Sequence, residues 1–258
     1  MHNAALKLVV PTAGRAWSES QLRSVTPYLE QLSAAERVCW GLDYLPDQAI
    51  LTSSFGAQSA VLLHMLTRHK PDIPVVLIDT GYLFPETYQF VDTLHDSLSL
   101  NLKIFRSDLS PAWQETRFGR LWEQGVEGIQ RYNQLNKVEP MARALESLQA
   151  GTWFSGLRRS QSGSRRETAI VRVHNDDVVK VHPLADWSDR DIHNYLKTHD
   201  LPYHPLWEKG YVSIGDHHTS QPLGAASNDE ETRFFGLVRE CGLHQPERFR
   251  NPESLSGL

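Results

Sequence analysis

The sequence predicts an α/β fold in which a parallel sheet lies between two layers of helices. Short runs that are apolar almost throughout, such as residues 74–78, are typical of strands buried on both faces. These runs alternate with segments whose apolar residues recur at helical spacing, which is the pattern of parallel α/β sheets. With 258 residues, 40% of them hydrophobic, the chain is long enough to bury one substantial core.

The expected elements follow one another in a regular order. We expect strands at residues 49–52, 74–78, 102–105, 152–155, 170–173 and 178–181, the last two close enough to form a hairpin. Ser33 with Glu36, and Ser188 with Asp191, have the spacing that caps a helix. We therefore divide the chain into a helical segment at 1–45, an α/β domain at 46–218 and a C-terminal tail at 219–258.

The loops that leave three of these strands are the expected binding site. Ligands of parallel sheets bind at the carboxyl ends of the strands, where the strand order reverses. The loops at residues 53–58, 79–84 and 156–166 would meet at that edge, which we call the rim.

Composition and charge exclude several classes of protein. The net charge is −5 and gives no general attraction to nucleic acid or to an anionic membrane. No apolar run approaches the roughly 20 residues of a membrane-spanning helix, and no secretory signal pattern is present. Cys39 and Cys241 are the two cysteines, too few for a disulfide framework or a CxxC metal site. We expect a cytoplasmic protein that binds no metal.

The first rim loop, SSFGAQS at residues 53–59, has the composition of an anion-binding turn. Its serines and Gly56 let backbone N–H groups approach an anion, and the helix that follows adds positive potential. A tight turn capped by serine has the same composition, so the loop alone leaves both interpretations open. In the second loop, Asp79 is placed to accept hydrogen bonds from a ribose or a base. Tyr82 and Phe84 suit either stacking on adenine or packing at the rim.

The third rim loop concentrates positive charge in an acidic protein. Residues 158–172 contain five arginines and one glutamate. Guanidinium groups match phosphate and sulfate oxygens in bidentate fashion. Because the loop follows a core strand at the rim, we favour an anion site over a solvated loop.

The C-terminal third contains the candidate nucleophile. His217 and His218 are adjacent and lack further spaced ligands, so they make a poor metal site. Cys39 lies on an apolar helical stripe, where cysteine is inert. Cys241 lies in the polar segment ECGLH, where His244 can lower its pKa, and is therefore the better candidate.

Five segments together carry a family resemblance: SSFGAQ, IDTGYLFPET, WFSGLRRSQSGSR, YHPLWEKGYVSIGD and ECGLH. In this order, from about residue 35 to residue 244, they resemble the thioredoxin-dependent phosphoadenylyl-sulfate (PAPS) reductases. The resemblance implies a Rossmann-like, adenine nucleotide α-hydrolase-like three-layer domain with a mobile tail that closes over the site. The first loop departs from the SGGxDS form of the ATP-cleaving relatives.

The resemblance also implies a mechanism. Cys241 attacks the sulfate sulfur of PAPS, adenosine 3′,5′-bisphosphate leaves, and thioredoxin releases sulfite from the resulting S-sulfocysteine, as a step of sulfate assimilation and cysteine biosynthesis. The implied catalytic residues are Cys241, His244 and Tyr211. The implied substrate-binding residues are Ser53, Ser54, Phe55, Gly56, Gln58, Asp79, Thr80, Gly81, Lys137, Gly156, Arg158, Arg159 and Arg165.

The cofactors and partners follow from the cysteine count and the resemblance. A [4Fe–4S] cluster needs about four thiolates, so we expect no iron–sulfur cluster. We expect thioredoxin or glutaredoxin as the reductant, and a homodimer. Three alternatives stay open: a reductase that prefers the nucleotide lacking the 3′-phosphate, a nucleotidyltransferase like the small subunit of sulfate adenylyltransferase, and a non-catalytic nucleotide sensor.

Overall fold

The structure, a computed structural model, describes residues 17–175, 178–225, 232 and 234. The helices are α1 (Glu19–Leu29), α2 (Ala34–Tyr44), α3 (Ala60–His69), α4 (Pro85–Leu98), α5 (Pro111–Phe118), α6 (Gly125–Asn133), α7 (Glu139–Ser147) and α8 (Asp189–Thr198). The strands are β1 (Ala49–Thr52), β2 (Pro74–Ile78), β3 (Asn101–Phe105), β4 (Thr152–Ser155), β5 (Val171–Asn175) and β6 (Val178–Val181). None of the helices in the described ranges has the length and apolar character needed to cross a membrane.

The strands form one mixed sheet in the order β3-β2-β1-β4-β6-β5. All neighbours are parallel except β5, which pairs antiparallel with β6 across a hairpin. The expected α/β fold is therefore confirmed, with one antiparallel strand at the edge. Strand order reverses between β1 and β4, where Thr52 lies beside Ser155. Their carboxyl ends form the crevice in which such sheets bind ligands.

Helices cover both faces of the sheet. On one face, α1 to α4 and α8 share the largest apolar cluster with the sheet, and on the other face α7 packs against Trp153. Adjacent residues of a strand point to opposite faces, so Phe154 belongs to the first cluster. Gly41 allows α2 to approach closely, since a Cβ atom there would lie 2.8 Å from the Phe154 ring. The N-terminal helices thus share their core with the sheet.

A buried arginine joins α2 to the segment after β6. The Arg37 guanidinium is 1% exposed and donates to the carbonyl oxygens of Leu29, at 2.9 Å, and Pro183, at 3.0 Å. It also donates to both carboxylate oxygens of Asp186, and this hydrogen bonding holds the pKa of Asp186 below its usual range. One side chain therefore fixes where the helical segment meets the sheet.

Replacing this arginine should destabilise the protein measurably. We expect Arg37→Met to lower the free energy of unfolding by about 2–3 kcal/mol, because two buried carbonyl oxygens lose their donor. The matched control is Arg23→Met, which removes an exposed arginine that pairs with Glu19 and should cost less than about 1 kcal/mol. Urea denaturation measures both. Equal losses in the two variants would contradict this account of Arg37.

Candidate active site

The loop after β1 presents backbone N–H groups at the start of α3. The Ser59 hydroxyl donates to the Gly56 carbonyl oxygen at 3.0 Å and does not cap the helix. The amide N–H groups of Gly56, Ala57 and Gln58 donate no hydrogen bond to any of the described residues. These donors and the positive end of the helix suit an anion.

Phe55 contributes its backbone and not its ring to this loop. The ring is fully buried in the main core, and the backbone has a φ of 48°, which non-glycine residues rarely adopt. The Ser53 hydroxyl accepts from the Phe55 N–H at 3.1 Å, and the Ser53 N–H extends the β1–β2 pairing. Burial of the ring thus holds the turn in a strained conformation. Such strain is concentrated at functional sites.

Arg158 connects the loop after β4 to the loop after β1. Its guanidinium, 4% exposed, donates to Gln58 Oε1 at 2.6 Å and to Asp189 Oδ1 at 2.8 Å. The other terminal nitrogen donates to the Ser160 hydroxyl and the Trp187 carbonyl oxygen. The predicted residues Arg158 and Gln58 are therefore together, across the point where strand order reverses. Exposed Gly156 lies just before Arg158.

The other two predicted arginines are placed differently. Arg159 turns away from the rim to Glu30 beyond α1, with an ion pair of 2.5 Å. The structure therefore does not bring Arg159 to the β1 loop. Arg165 donates to Gln161 Oε1 at 2.6 Å, and the same oxygen accepts from the Arg158 N–H at 3.1 Å. Gln161, which the sequence analysis did not single out, thus links Arg165 to Arg158.

The loop after β2 is a tight turn with internal hydrogen bonds. Asp79 Oδ1 accepts from the Gly81 N–H at 2.9 Å and from the Tyr88 hydroxyl at 2.7 Å. Gly81 has a φ of 75°, and a Cβ atom there would lie 2.6 Å from Pro111. Asp79 therefore holds the turn that presents Thr80, which is itself buried.

A buried ion pair lies beside this turn. Lys137 belongs to the π-helical turn Gln134–Val138 between α6 and α7, and its ammonium group lies 2.7 Å from Asp216 Oδ2. The Thr80 hydroxyl donates to Asp216 Oδ1 at 2.5 Å, and Asp216 is 1% exposed. The rings of Tyr132 and Phe234 flank the ammonium group at 5.3 and 5.0 Å. The sequence analysis quoted the segment that contains Asp216 but missed this residue, because nothing local indicates a partner 79 positions away.

Residues 204–219, which we call the strap, cross the loop after β1 and the loop after β2. The His204 N–H donates to the Ala57 carbonyl oxygen at 3.2 Å, and the His217 N–H donates to the Tyr82 carbonyl oxygen at 2.8 Å. Tyr211 packs edge-on against Phe84, with 5.4 Å between ring centroids, in a small cluster that includes Ala57. The strap therefore places Tyr211 at the rim.

Tyr82 and Phe84 pack at the rim rather than standing open for a base. The Tyr82 ring is 6% exposed, and burial together with its hydrogen bond to Glu115 raises the pKa of its hydroxyl. Beside it lies an open cleft of about 350 Å³ lined by Tyr82, Glu115, Arg120, Trp122, Glu123, His217 and His218. Within the described part of the chain, no three His, Cys, Asp or Glu side chains group as a metal site, these two histidines included.

Cys39 lies far from the rim. Cys39 on α2 lies 3.6 Å from Nδ1 of His69, the last residue of α3, and burial raises the pKa of its thiol. Because α3 starts at the rim and rises about 1.5 Å per residue, Cys39 lies near the opposite edge of the sheet. Cys241 and His244 lie outside the described residues.

The site combines backbone donors at a helix N-terminus with buried cations, and it lies where the strand order of the sheet reverses. This combination defines the class of α/β proteins that bind nucleotide phosphates. Residues 48–222 match the family described as the phosphoadenosine phosphosulfate reductase domain. The phosphoadenosine 5′-phosphosulfate reductase of Xylella fastidiosa strain 9a5c is 62% identical over 87% of this chain and 94% of its own length. That of Shewanella oneidensis is 57% identical over 95% of this chain and 99% of its own. The chain belongs to the phosphoadenosine phosphosulfate reductase family.

Solved structures agree with this fold. The phosphate complex of PAPS reductase from Candida auris superposes with a TM-score of 0.70 at 27% identity, over 80% of this chain and 99% of that one. The FMN adenylyltransferase of Candida glabrata reaches a TM-score of 0.55 at 14% identity, over 88% of this chain and 82% of that one, and shares the fold alone. The adenine nucleotide α-hydrolase-like fold implied by the sequence is confirmed.

His204 should make stability depend on pH. Its Nδ1 accepts from the Leu206 N–H and its other ring nitrogen lies 3.0 Å from the Thr87 hydroxyl, while burial lowers its pKa to about 4. Below the usual pKa of about 6.5, His204 is protonated in the unfolded chain but stays neutral in the folded protein. Stability therefore falls as the pH drops from 6.5 towards 4.

We expect His204→Asn, which keeps an acceptor for the Leu206 N–H, to flatten this slope by at most about 1.4 kcal/mol per pH unit. Urea unfolding across this pH range measures the slope. Part of it should remain, because burial also lowers the pKa of His182. An unchanged slope in His204→Asn would refute the assignment.

The Lys137–Asp216 pair should show strong energetic coupling. Each single variant, Lys137→Met or Asp216→Leu, leaves a buried charge uncompensated and should cost about 3–5 kcal/mol of unfolding free energy. The double variant should lose less than the sum of the two, with a coupling of about 1–3 kcal/mol. A parallel cycle on the more exposed pair Lys209–Glu86 should give less than about 1 kcal/mol. Additive losses at Lys137 and Asp216 would show that the two charges do not depend on each other.

Proposed function

We propose that this protein reduces 3′-phosphoadenylyl sulfate through a covalent intermediate on Cys241. The Cys241 thiolate attacks the sulfate sulfur. A sulfur–sulfur bond forms, the bond from sulfur to the bridging phosphate oxygen breaks, and adenosine 3′,5′-bisphosphate leaves with the electron pair. Splitting the reduction into two displacements is covalent catalysis.

The observation that carries the proposal is the anion site at the rim of a chain of this family. Amide N–H groups of residues 56–58 lie at the start of α3, next to Gln58 and Arg158. Several negative charges on the substrate call for such donors, and the protein as a whole carries net negative charge. In this proposal the loop binds phosphate or sulfate oxygens, and Arg158 orients Gln58. Lys137 is a second cation for the substrate, while Thr80 and Gly81 border the nucleoside.

The choice of nucleophile is supported by elimination. Cys39 lies near the edge of the sheet opposite the rim, and the pKa of its thiol is raised by burial. A thiolate is the reactive form, so a raised pKa opposes nucleophilic attack. Cys241 is the second of the two cysteines. Tyr211 lies at the rim, and we propose that its ring is near the nucleophile. His244 follows Cys241 by three residues in the sequence, and we propose that it assists Cys241.

The second half-reaction needs a dithiol. A thiolate of reduced thioredoxin attacks Sγ of Cys241, sulfite leaves with the electron pair of the sulfur–sulfur bond, and a mixed disulfide remains. The second thiol of thioredoxin then displaces Cys241 and closes the thioredoxin disulfide. Glutaredoxin has the same chemistry. Two cysteines cannot supply the roughly four thiolates of a [4Fe–4S] cluster, so the proposal includes none. It places the enzyme, as a homodimer, in the reducing cytoplasm.

The experiment omits the reductant. Reduced protein is mixed with the phosphosulfate substrate without thioredoxin, and the intact chain is analysed by mass spectrometry. We expect the mass of one SO3 group to be added at Cys241 and to be released as sulfite when reduced thioredoxin is supplied. Cys241→Ser should form no adduct, whereas the matched control Cys39→Ser should form it as the wild type does.

The other outcomes separate the alternatives. An adduct formed equally fast from the nucleotide without the 3′-phosphate would remove the substrate preference from the proposal. Binding of adenosine 3′,5′-bisphosphate without any adduct would overturn the covalent mechanism and favour a nucleotide sensor. Nucleotide transfer from ATP by Cys241→Ser would favour a nucleotidyltransferase.

A further inference from the structure

We propose that Asn136 is a positioning residue, which together with Gln114 holds the π-helical turn Gln134–Val138 in the form that points Lys137 at Asp216. The inference rests on the function proposed above, in which Lys137 is a cation for the substrate. It assigns a role to a buried pair of amide side chains that the proposed mechanism does not use.

The π-helical turn has a cause in the sequence. It joins α6 to α7 without a break, and Pro140 is the second residue of α7. In an α-helix the proline ring would clash with the carbonyl group of Asn136, four residues earlier, and a proline has no N–H to donate. The turn before the proline is wider, because the Glu139 N–H donates to the Gln134 carbonyl oxygen five residues earlier. Pro140 thus favours the wider turn over a regular one.

The wider turn decides which way Lys137 points. Residues five apart in an α-helix lie about 140° apart around its axis, on different faces. In a π-turn, where hydrogen bonds join residues five apart, such residues lie close to one face. Lys137 follows Tyr132 by five positions, and its ammonium group lies 5.3 Å from the Tyr132 ring. Because the same ammonium group pairs with Asp216, the ion pair depends on the π-turn as well.

Two amide side chains hold this turn. Asn136 Nδ2 donates to the Tyr132 carbonyl oxygen at 3.2 Å, the group to which the Asn136 backbone N–H would donate in an α-helix. The same Nδ2 donates to Gln114 Oε1 at 2.9 Å, and Gln114 Nε2 donates to Asn136 Oδ1 at 2.8 Å and to the Leu109 carbonyl oxygen at 3.0 Å. Both amide groups are buried, so the turn cannot relax without leaving buried polar groups unpaired.

Loss of the amide pair should therefore release Lys137 from its orientation. The positive charge would remain in the chain, but the side chain that carries it would no longer be held towards Asp216. An anion that meets an ordered cation loses less freedom on binding than one that must first order a mobile side chain. The pair should accordingly affect how tightly an anionic nucleotide binds, in addition to its contribution to folding.

The test measures the dissociation constant of adenosine 3′,5′-bisphosphate for the full chain by isothermal titration calorimetry. We expect Asn136→Leu and Gln114→Met each to weaken binding by at least fivefold and to lower the free energy of unfolding, because each leaves a buried amide without its partner. The double variant replaces both amides by apolar groups and should regain part of the stability. Its affinity should stay at least fivefold below that of the wild type, because the turn is still released.

A second arm asks whether Asn136 acts through Lys137. In a background that lacks both charges of the ion pair, Lys137→Met with Asp216→Leu, we expect Asn136→Leu to change the dissociation constant by less than twofold. The control is Met141→Ala, which removes a buried side chain shortly after the π-turn. It should lower the free energy of unfolding while the dissociation constant changes by less than twofold.

Recovery of affinity together with stability in the double variant would overturn the inference, because it would indicate a merely structural role. An undiminished effect of Asn136→Leu in the background without the charges would also overturn it, as would wild-type affinity of that background itself. If a single variant does not fold, the affinity of the double variant decides, and wild-type affinity there contradicts the inference. Failure of the wild type to bind adenosine 3′,5′-bisphosphate would instead refute the proposed function.

Discussion

The buried ion pair of Lys137 and Asp216 is the interaction on which the arrangement of the rim depends. Removing two charges from water is costly, and only good geometry with further hydrogen bonds offsets the cost. The Thr80 hydroxyl supplies such a bond, and the strap supplies Asp216 itself. Three segments that are distant in sequence meet here. They are the helical segment between β3 and β4, the turn after β2, and the strap. They must meet because each holds one part of this network.

A second buried cation repeats this design on the other side of the crevice. Arg158 donates to Asp189 and Gln58, and Lys137 donates to Asp216, whose other carboxylate oxygen accepts from Thr80. Each cation therefore has a carboxylate partner within the protein, so neither charge is buried alone. An arriving phosphate or sulfate would share a cation that is already desolvated and oriented. Such preorganised charge needs little rearrangement on binding, which is how sites recognise anions with several charges.

The sequence predicts the sheet well and the arginine loop only in part, for physical reasons. Strands buried on both faces must be apolar throughout, so their positions are visible in composition alone. Contacts of long charged side chains depend on tertiary neighbours. Arg158 has extended backbone angles, φ −128° and ψ 144°, and adjacent residues of an extended chain point in opposite directions. Arg158 accordingly faces Gln58 while Arg159 faces Glu30, a division that charge counting does not reveal. Asp216 was missed for the same reason, since its partner is distant in sequence.

The position of Cys39 bears on how the proposed reduction must end. Discharging an S-sulfocysteine as sulfite takes two thiols, one to displace the sulfite and one to resolve the disulfide that results. Within one chain, the thiol other than Cys241 lies beside the last residue of α3, and the ten residues of that helix separate it from the rim. A helix of that length spans about 15 Å, far beyond the reach of a sulfur–sulfur bond. In the proposed mechanism, Cys39 is therefore too far away to displace sulfite from an adduct held at the rim. In the proposed mechanism the reducing equivalents therefore come from a separate dithiol whose two sulfurs are already close together.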